Sequence, residues 1–312
     1  MLTKKQERVG YIELALAQTC VGINVISGKF LISLFPVFLL LALRFAIGFF
    51  GMLIIEYFRS RKLFTFYSQF IALNFRDKCL LMLQAICGGL LFNVLVLYGM
   101  KTTSATSAGI ITSITPVMIF ILAAVFLREK INRQKIISII MVVIGLVILN
   151  TGKSVDLRQG ALLGSCLILL SVFPEAFFTI LSKSVGKKIT EIDAVILVNF
   201  FNLILFIPLA WLDRMSFHLN QISFTTLIQV MIYGISGGIV FFLLWYRGLT
   251  KINANTAALF TAIMPVSTTL FAFLFLKEAI HIRELIGMLF VILAIFVGCK
   301  KLSLKSHTAE FY

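Results

Sequence analysis

This 312-residue sequence predicts an all-α membrane protein of ten transmembrane helices, arranged as two inverted five-helix repeats. Three observations carry that prediction. The chain is 60% hydrophobic and only 13% charged, with a mean hydropathy of +1.04, whereas soluble domains carry about 25% charge. Apolar runs of membrane-crossing length follow one another, separated by short basic breaks. One segment also occurs twice, as TPVMIFILAAVFLREK from Thr115 and MPVSTTLFAFLFLKEA from Met264. Pro116 and Pro265 stand 149 positions apart, and so do Glu129 and Glu278.

A helix needs about 20 apolar residues to cross the hydrocarbon core. After a short N-terminus, 1–10, the first span is placed at 10–31. Its apolar stretch from Tyr11 to Leu34 is too long for a signal-peptide core and lacks a clear cleavage site. The second span, 37–57, carries Arg44; the basic break 58–78 after it forms at most a surface helix. Spans at 79–99, 103–127 and 134–151 complete the first half. The second half follows with 160–181, 192–211, 225–247, 254–276 and 284–299, ending in the tail 300–312. The fifth and tenth spans are short but strongly apolar.

Orientation follows from Lys and Arg in the connections. With the N-terminus placed in the cytoplasm, 20 of the 28 basic residues fall on the cytoplasmic side and seven on the other, with Arg44 inside a span. Both termini are therefore expected in the cytoplasm. The net charge of +15 does not imply nucleic acid, because the basic residues sit in clusters between spans and not on one polar face.

The 149-residue interval extends beyond the quoted pair. Gly88-Gly89 matches Gly237-Gly238, Gly99 matches Gly248 and Ala105 matches Ala254. Five spans per half is an odd number, so the second half starts on the opposite side of the bilayer from the first. Inverted halves recur among secondary transporters, where exchanging the two halves' shapes turns a cavity from one side to the other. Duplication as a common way to build bundles is the plainer alternative. Thr106, Gly109, Ser113 and Pro116 share one face of the fourth span, and Asn255, Ala258, Ala262 and Pro265 share the matching face of the ninth. Small residues there permit close helix packing and the prolines permit kinks, so this face serves packing, substrate contact or both.

Ionisable and polar groups inside spans are functional candidates. Glu175, directly after Pro174 in the sixth span, is a candidate to bind a cationic or amino group of the substrate or to carry a coupling proton. Its alternative roles are bonding backbone loosened by Pro174, or meeting Arg44. Arg44 needs a partner and reads as a helix-pairing residue. Asn24 and Asn93 suit a cavity, as amides that donate and accept, or serve as interhelical glue. Trp245 and Tyr246 read as interfacial anchors, with a stacking wall for substrate as the sharper alternative. Glu129 and Glu278 are expected to satisfy free N–H groups at the start of the next helix, with gating as a secondary role.

The duplicated proline, apolar run and terminal glutamate, with LLALRFAIGFF in the second span, resemble the EamA branch of the drug/metabolite transporter superfamily. The resemblance covers nearly the whole chain as two EamA-type units, 11–150 and 160–299. It implies a bacterial inner-membrane carrier that exports, less often imports, amino acids and related metabolites. It also implies a central cavity lined mainly by spans one, three, four, six, eight and nine.

Other classes are less well served. The sequence has no HExxH, no P-loop and no GxSxG, and His218, His281 and His307 are isolated outside the spans. The five cysteines form no CxxC pair, so neither a disulfide frame nor a metal site is implied. No cofactor is expected, and the partners are a small-molecule substrate, lipid and protons as a candidate coupling ion. An intramembrane enzyme needs a catalytic pair at matching depth, and a channel needs pore helices or a filter loop; neither is visible. Within carriers, the few amphoteric polar spots also admit nucleoside, adenosyl or vitamin-type solutes. A monomer is expected.

Overall fold

The computed structural model describes residues 3–60, 65–103, 111–150, 161–186, 188–213, 222–277 and 279–299. Among these residues every regular element is helical. The elements are α1 Lys4–Leu31, α2 Val37–Ser60, α3 Thr65–Ala72, α4 Phe75–Thr102, α5 Thr115–Phe126 and α6 Arg133–Asn150. They continue as α7 Ala161–Val185, α8 Glu191–Asp213, α9 Phe224–Lys251, α10 Ala254–Phe260, α11 Ile263–Leu276 and α12 Ile282–Cys299. Nine of the described helical stretches are long and apolar enough to cross a membrane, with α10 and α11 counted as one. The expected fourth span, 103–127, is described only in part: α5 has 12 residues, and residues 104–110, with Thr106 and Gly109, lie outside the described residues. Exposed side chains such as Leu212, Phe224 and Phe296 stud the outside of the bundle, a surface that lipid solvates and water does not.

Local signals explain where the helices start. Thr3 and Gln6 form a reciprocal capping box at the head of α1. Asn74 caps α4 by accepting from Asp77 N at 2.9 Å, and Ser223 caps α9 by accepting from Thr226 N at 3.1 Å. Those two caps lie 149 residues apart, and the interval continues. α4 and α9 share it at both ends, Phe75 to Phe224 and Thr102 to Lys251. α6 and α12 share it too, Arg133 to Ile282 and Asn150 to Cys299.

Each long helix of the first pair contains one π-helical turn, Ile86–Leu91 in α4 and Ile235–Val240 in α9, again 149 apart and each holding a Gly-Gly pair. A π turn frees backbone carbonyls that side chains must then satisfy, and such turns recur at functional sites. Arg128 and Lys277, the non-glycine residues with positive φ (53° and 57°) among the described residues, keep the same spacing. Directly ahead of α5 and α11 the chain breaks into a turn a few residues before the proline, at Ser113–Ile114 and at Thr261–Ala262. Proline has no N–H and crowds the carbonyl four residues back. For Pro116 that residue is Thr112 and for Pro265 it is Thr261.

Packing couples the two halves. α1 lies against α9 and α11, while α7 lies against α4 and α5; α2 pairs with α8, and α6 with α12. Gly145 and Gly287 let α6 and α12 approach backbone to backbone: a Cβ at Gly287 would stand 2.6 Å from the Gly145 carbonyl oxygen. At the end of the bundle where α1 starts, side chains cross between helices. Glu13 pairs with Arg247 at 3.1 Å and with Lys251, and Lys188 pairs with Asp77 at 2.6 Å. At the opposite end a cavity opens.

Candidate functional site

The cavity has a volume of about 350 Å³ and enters the bundle between α1, α2, α4, α7, α9 and α11. Its mouth is framed by Lys29 of α1 and Ile32 just after it, Met100 of α4, Asn150 of α6 and residues 279–281 before α12. Phe178, Phe241 and Trp245 line its wall deeper in. Glu175 lines it too, fourteen residues along α7 from Ala161, about 21 Å at 1.5 Å per residue.

A group of polar side chains is built around the π turns. Arg44 donates through Nη1 to Asn93 Oδ1 at 2.8 Å and through Nη2 to the Gly237 carbonyl at 3.2 Å. Its guanidinium also lies 5.4 Å from the Phe45 ring and 5.5 Å from that of Tyr233. Asn93 donates to the Gly88 and Gly89 carbonyls at 3.0 and 2.7 Å. Asn24 donates to the Tyr233 carbonyl at 2.7 Å and to Ser236 Oγ at 3.3 Å. A Cβ at Gly237 would stand 2.5 Å from Asn24 Nδ2 and 2.7 Å from Arg44 Nε, so any side chain there would push these groups off their partners. Asn93 and Arg44 close carbonyls within the π turns, Asn24 closes the Tyr233 carbonyl just before the second, and all three line the cavity.

Two cavity groups are less committed. Glu175 accepts from Thr115 Oγ1 at 3.1 Å and is half-buried, open to the cavity. It does not pair with Arg44, whose hydrogen bonds go to Asn93 and Gly237. The Trp245 indole N–H is buried with no hydrogen-bond partner among the described residues, while its ring stacks on Phe241 at 5.9 Å. A carboxylate, an unpartnered N–H donor and aromatic faces together suit a small solute that carries an amine, an acceptor and an apolar body.

Of the residues singled out from sequence, Asn24, Arg44, Asn93, Glu175, Trp245 and Pro265 line this cavity. Tyr246 and Asn255 do not; both are wholly enclosed. The reading of Trp245 and Tyr246 as interfacial anchors is overturned, since each is 1% exposed. Their side of α9 is covered by neighbouring helices, and the Tyr246 hydroxyl accepts from Gln84 Nε2 instead of facing headgroups. Pro116 is buried near the start of α5, away from the cavity wall.

Glu129 does not serve the next helix in the chain, as sequence suggested. Asn132 already caps that helix, accepting from Lys135 N at 2.8 Å, and Glu129 instead reaches the start of α10. Glu278 lies outside the described residues. Sequence reasoning missed Gln18, Thr179 and Thr268 on the cavity wall, and the buried Gln84, Asn199 and Asn202 behind it. The rule that flagged Asn24, that polar groups inside spans are costly, applies equally to these.

Comparison with known proteins bears on the site's purpose. The family model described as the EamA-like transporter family matches residues 8–151 and again 162–298. The uncharacterized transporter YetK of Bacillus subtilis (strain 168) is 34% identical over 299 residues, covering 95% of this chain and 88% of that protein. The uncharacterized transporter YcxC of the same organism is 22% identical over 300 residues, 94% of each chain. An uncharacterized transporter of Archaeoglobus fulgidus is 26% identical over 219 residues, 69% of this chain and 75% of that one. A crystal structure at 18% identity superposes with a TM-score of 0.73, over 95% of this chain and 97% of the other, which shows a common fold.

Proposed function

The chain belongs to the EamA-like transporter family, and from that premise we propose a secondary carrier that moves a small metabolite across the cell inner membrane by alternating access. Its units are residues 11–150 and 160–299, each contributing five spans in opposite orientation, with both termini in the cytoplasm. An amino acid or related amphoteric compound is the solute class, export is the direction, and protons are the candidate coupling ion.

The observation that carries this reading is the asymmetry of one central cavity. It opens at the end where α1 finishes, and cross-helix ties occupy the end where α1 starts. A channel conducts through a path open at both ends; a carrier opens one end at a time. Glu175 is assigned the amino group of the solute, the Trp245 indole N–H an acceptor, and Phe178 and Phe241 its apolar body. Recognition by a few polar groups in an apolar wall of this size is the ordinary pattern of small-molecule sites.

A thermal-shift screen of the purified protein against a metabolite library identifies the solute without presuming a direction. Reconstituted into proteoliposomes, the protein is then expected to show saturable counterflow: unlabelled solute inside accelerates uptake of labelled solute. Flux rising linearly with concentration, with no acceleration, would contradict a carrier.

A further inference from the structure

Glu129 stands at a place where the chain does something unusual. Arg128 before it has φ of 53°, a left-handed conformation that non-glycine residues rarely adopt. Beyond that turn the Glu129 carboxylate meets a helix 125 residues away. Oε1 accepts from Ala254 N at 2.7 Å and Oε2 from Asn255 N at 2.9 Å. These are the first backbone donors of α10, and α10's own N-cap, Asn253, makes no side-chain cap. One carboxylate thus supplies the cap for a helix of the other half, through two charge-assisted bonds.

The same stretch is held from other helices. Lys183 of α7 donates to the Leu249 and Ile252 carbonyls, and Glu13 of α1 pairs with Arg247 and Lys251. Directly inside this belt lies Asn255, wholly enclosed, with neither Oδ1 nor Nδ2 hydrogen-bonded to any described residue. A buried amide without partners costs free energy and calls for an explanation. An apolar side chain would fill that space without the penalty. The amide makes sense if it is enclosed only in this state and reached by water or solute in another.

We infer that Glu129 is the latch holding this end of the carrier shut, and that the Asn255 amide is the polar contact kept for the state open to this end. The inference rests on the two-ended carrier reading above. A latch of this kind is firm because it is bidentate, and reversible because water can replace the carboxylate on both N–H groups once the halves part.

Accessibility of introduced cysteines tests it on purified protein whose five native cysteines have been replaced. Asn255→Cys reports the shut end and keeps the backbone N–H that Glu129 grips; Thr269→Cys, on the cavity wall, reports the open one. With Glu129 intact, a maleimide should label position 255 slowly and position 269 fast. In Glu129→Gln, labelling at 255 should rise at least about tenfold, and labelling at 269 should fall in proportion to the fraction of molecules that switch. Ala254→Pro is the second route. It deletes one gripped N–H without touching Glu129, at the first position of α10, where proline suits a helix.

Unchanged labelling at 255 in both variants overturns the latch, and so does a rise at both positions, which is loosening and not switching. Protection of 269 in Glu13→Gln, with no change in either latch variant, sinks the latch alone. A position 269 that stays open in every background sinks the two-ended carrier reading itself.

Discussion

Glu175→Gln is expected to weaken solute binding about 30- to 150-fold, the size of one charge-assisted hydrogen bond at roughly 2–3 kcal/mol. The fold should survive. The carboxylate accepts from the Thr115 hydroxyl, and an amide oxygen accepts that bond equally well. What the amide lacks is the charge that faces the cavity. Bound solute stabilises the folded state in proportion to its affinity. At a fixed solute concentration the thermal shift should therefore collapse in the variant, while the unliganded melting temperature stays within a few degrees. Glu175→Asp keeps the charge but withdraws it by one methylene, and should fall between the two. Unchanged affinity and unchanged pH dependence of transport in Glu175→Gln would remove this residue from the mechanism.

Arg44 should behave in the opposite way, with stability lost first. Its guanidinium joins α2 to Asn93 of α4 and to the Gly237 carbonyl of α9, so one side chain pins both π turns. Lysine carries the same charge but not the two-pronged fork. In Arg44→Lys one of the two acceptors loses its partner, at roughly 1–3 kcal/mol for a buried group. Interhelical bonds in membranes tend to measure smaller, about 0.6 kcal/mol on average and up to about 1.7. A charged, buried donor belongs near the top of that range. A double-mutant cycle of Arg44→Lys with Asn93→Leu, read from unfolding in detergent, should give a coupling of about 1–2 kcal/mol. Zero coupling would mean that the observed bond does not hold the turns, and would return Arg44 to the solute.

Several features of this molecule are legible in the sequence for simple reasons. Span length follows from the thickness of hydrocarbon, so the long apolar helices are visible in composition alone. The 149-residue interval between Pro116 and Pro265 reappears in helix ends, in two π turns and in two left-handed residues, because equal sequences meet equal local physics. Glu175 and Arg44 stand out because charge in lipid is costly wherever it occurs.

What escaped the sequence depends on rotation and on distance. Depth along α9 suggested headgroup anchors for Trp245 and Tyr246, but depth does not say which way a side chain turns, and both turn inward. The Gly-Gly pairs mark the π turns only in hindsight, since no propensity distinguishes a π turn from a helix lined with small residues. Glu129 was read as a local cap because sequence displays neighbours. Its partners lie 125 and 126 residues away, and the nearer role had already gone to Asn132.

One measurement bears most directly on the claim that two oppositely oriented halves enclose a single cavity. Lys130→Cys and Lys277→Cys sit beside the duplicated glutamates, and a membrane-impermeant maleimide can be applied to right-side-out and to inverted vesicles. Oppositely oriented halves predict label at 130 from one face only and at 277 from the other only. Label at both positions from the same face would contradict the arrangement, and alternating access through it.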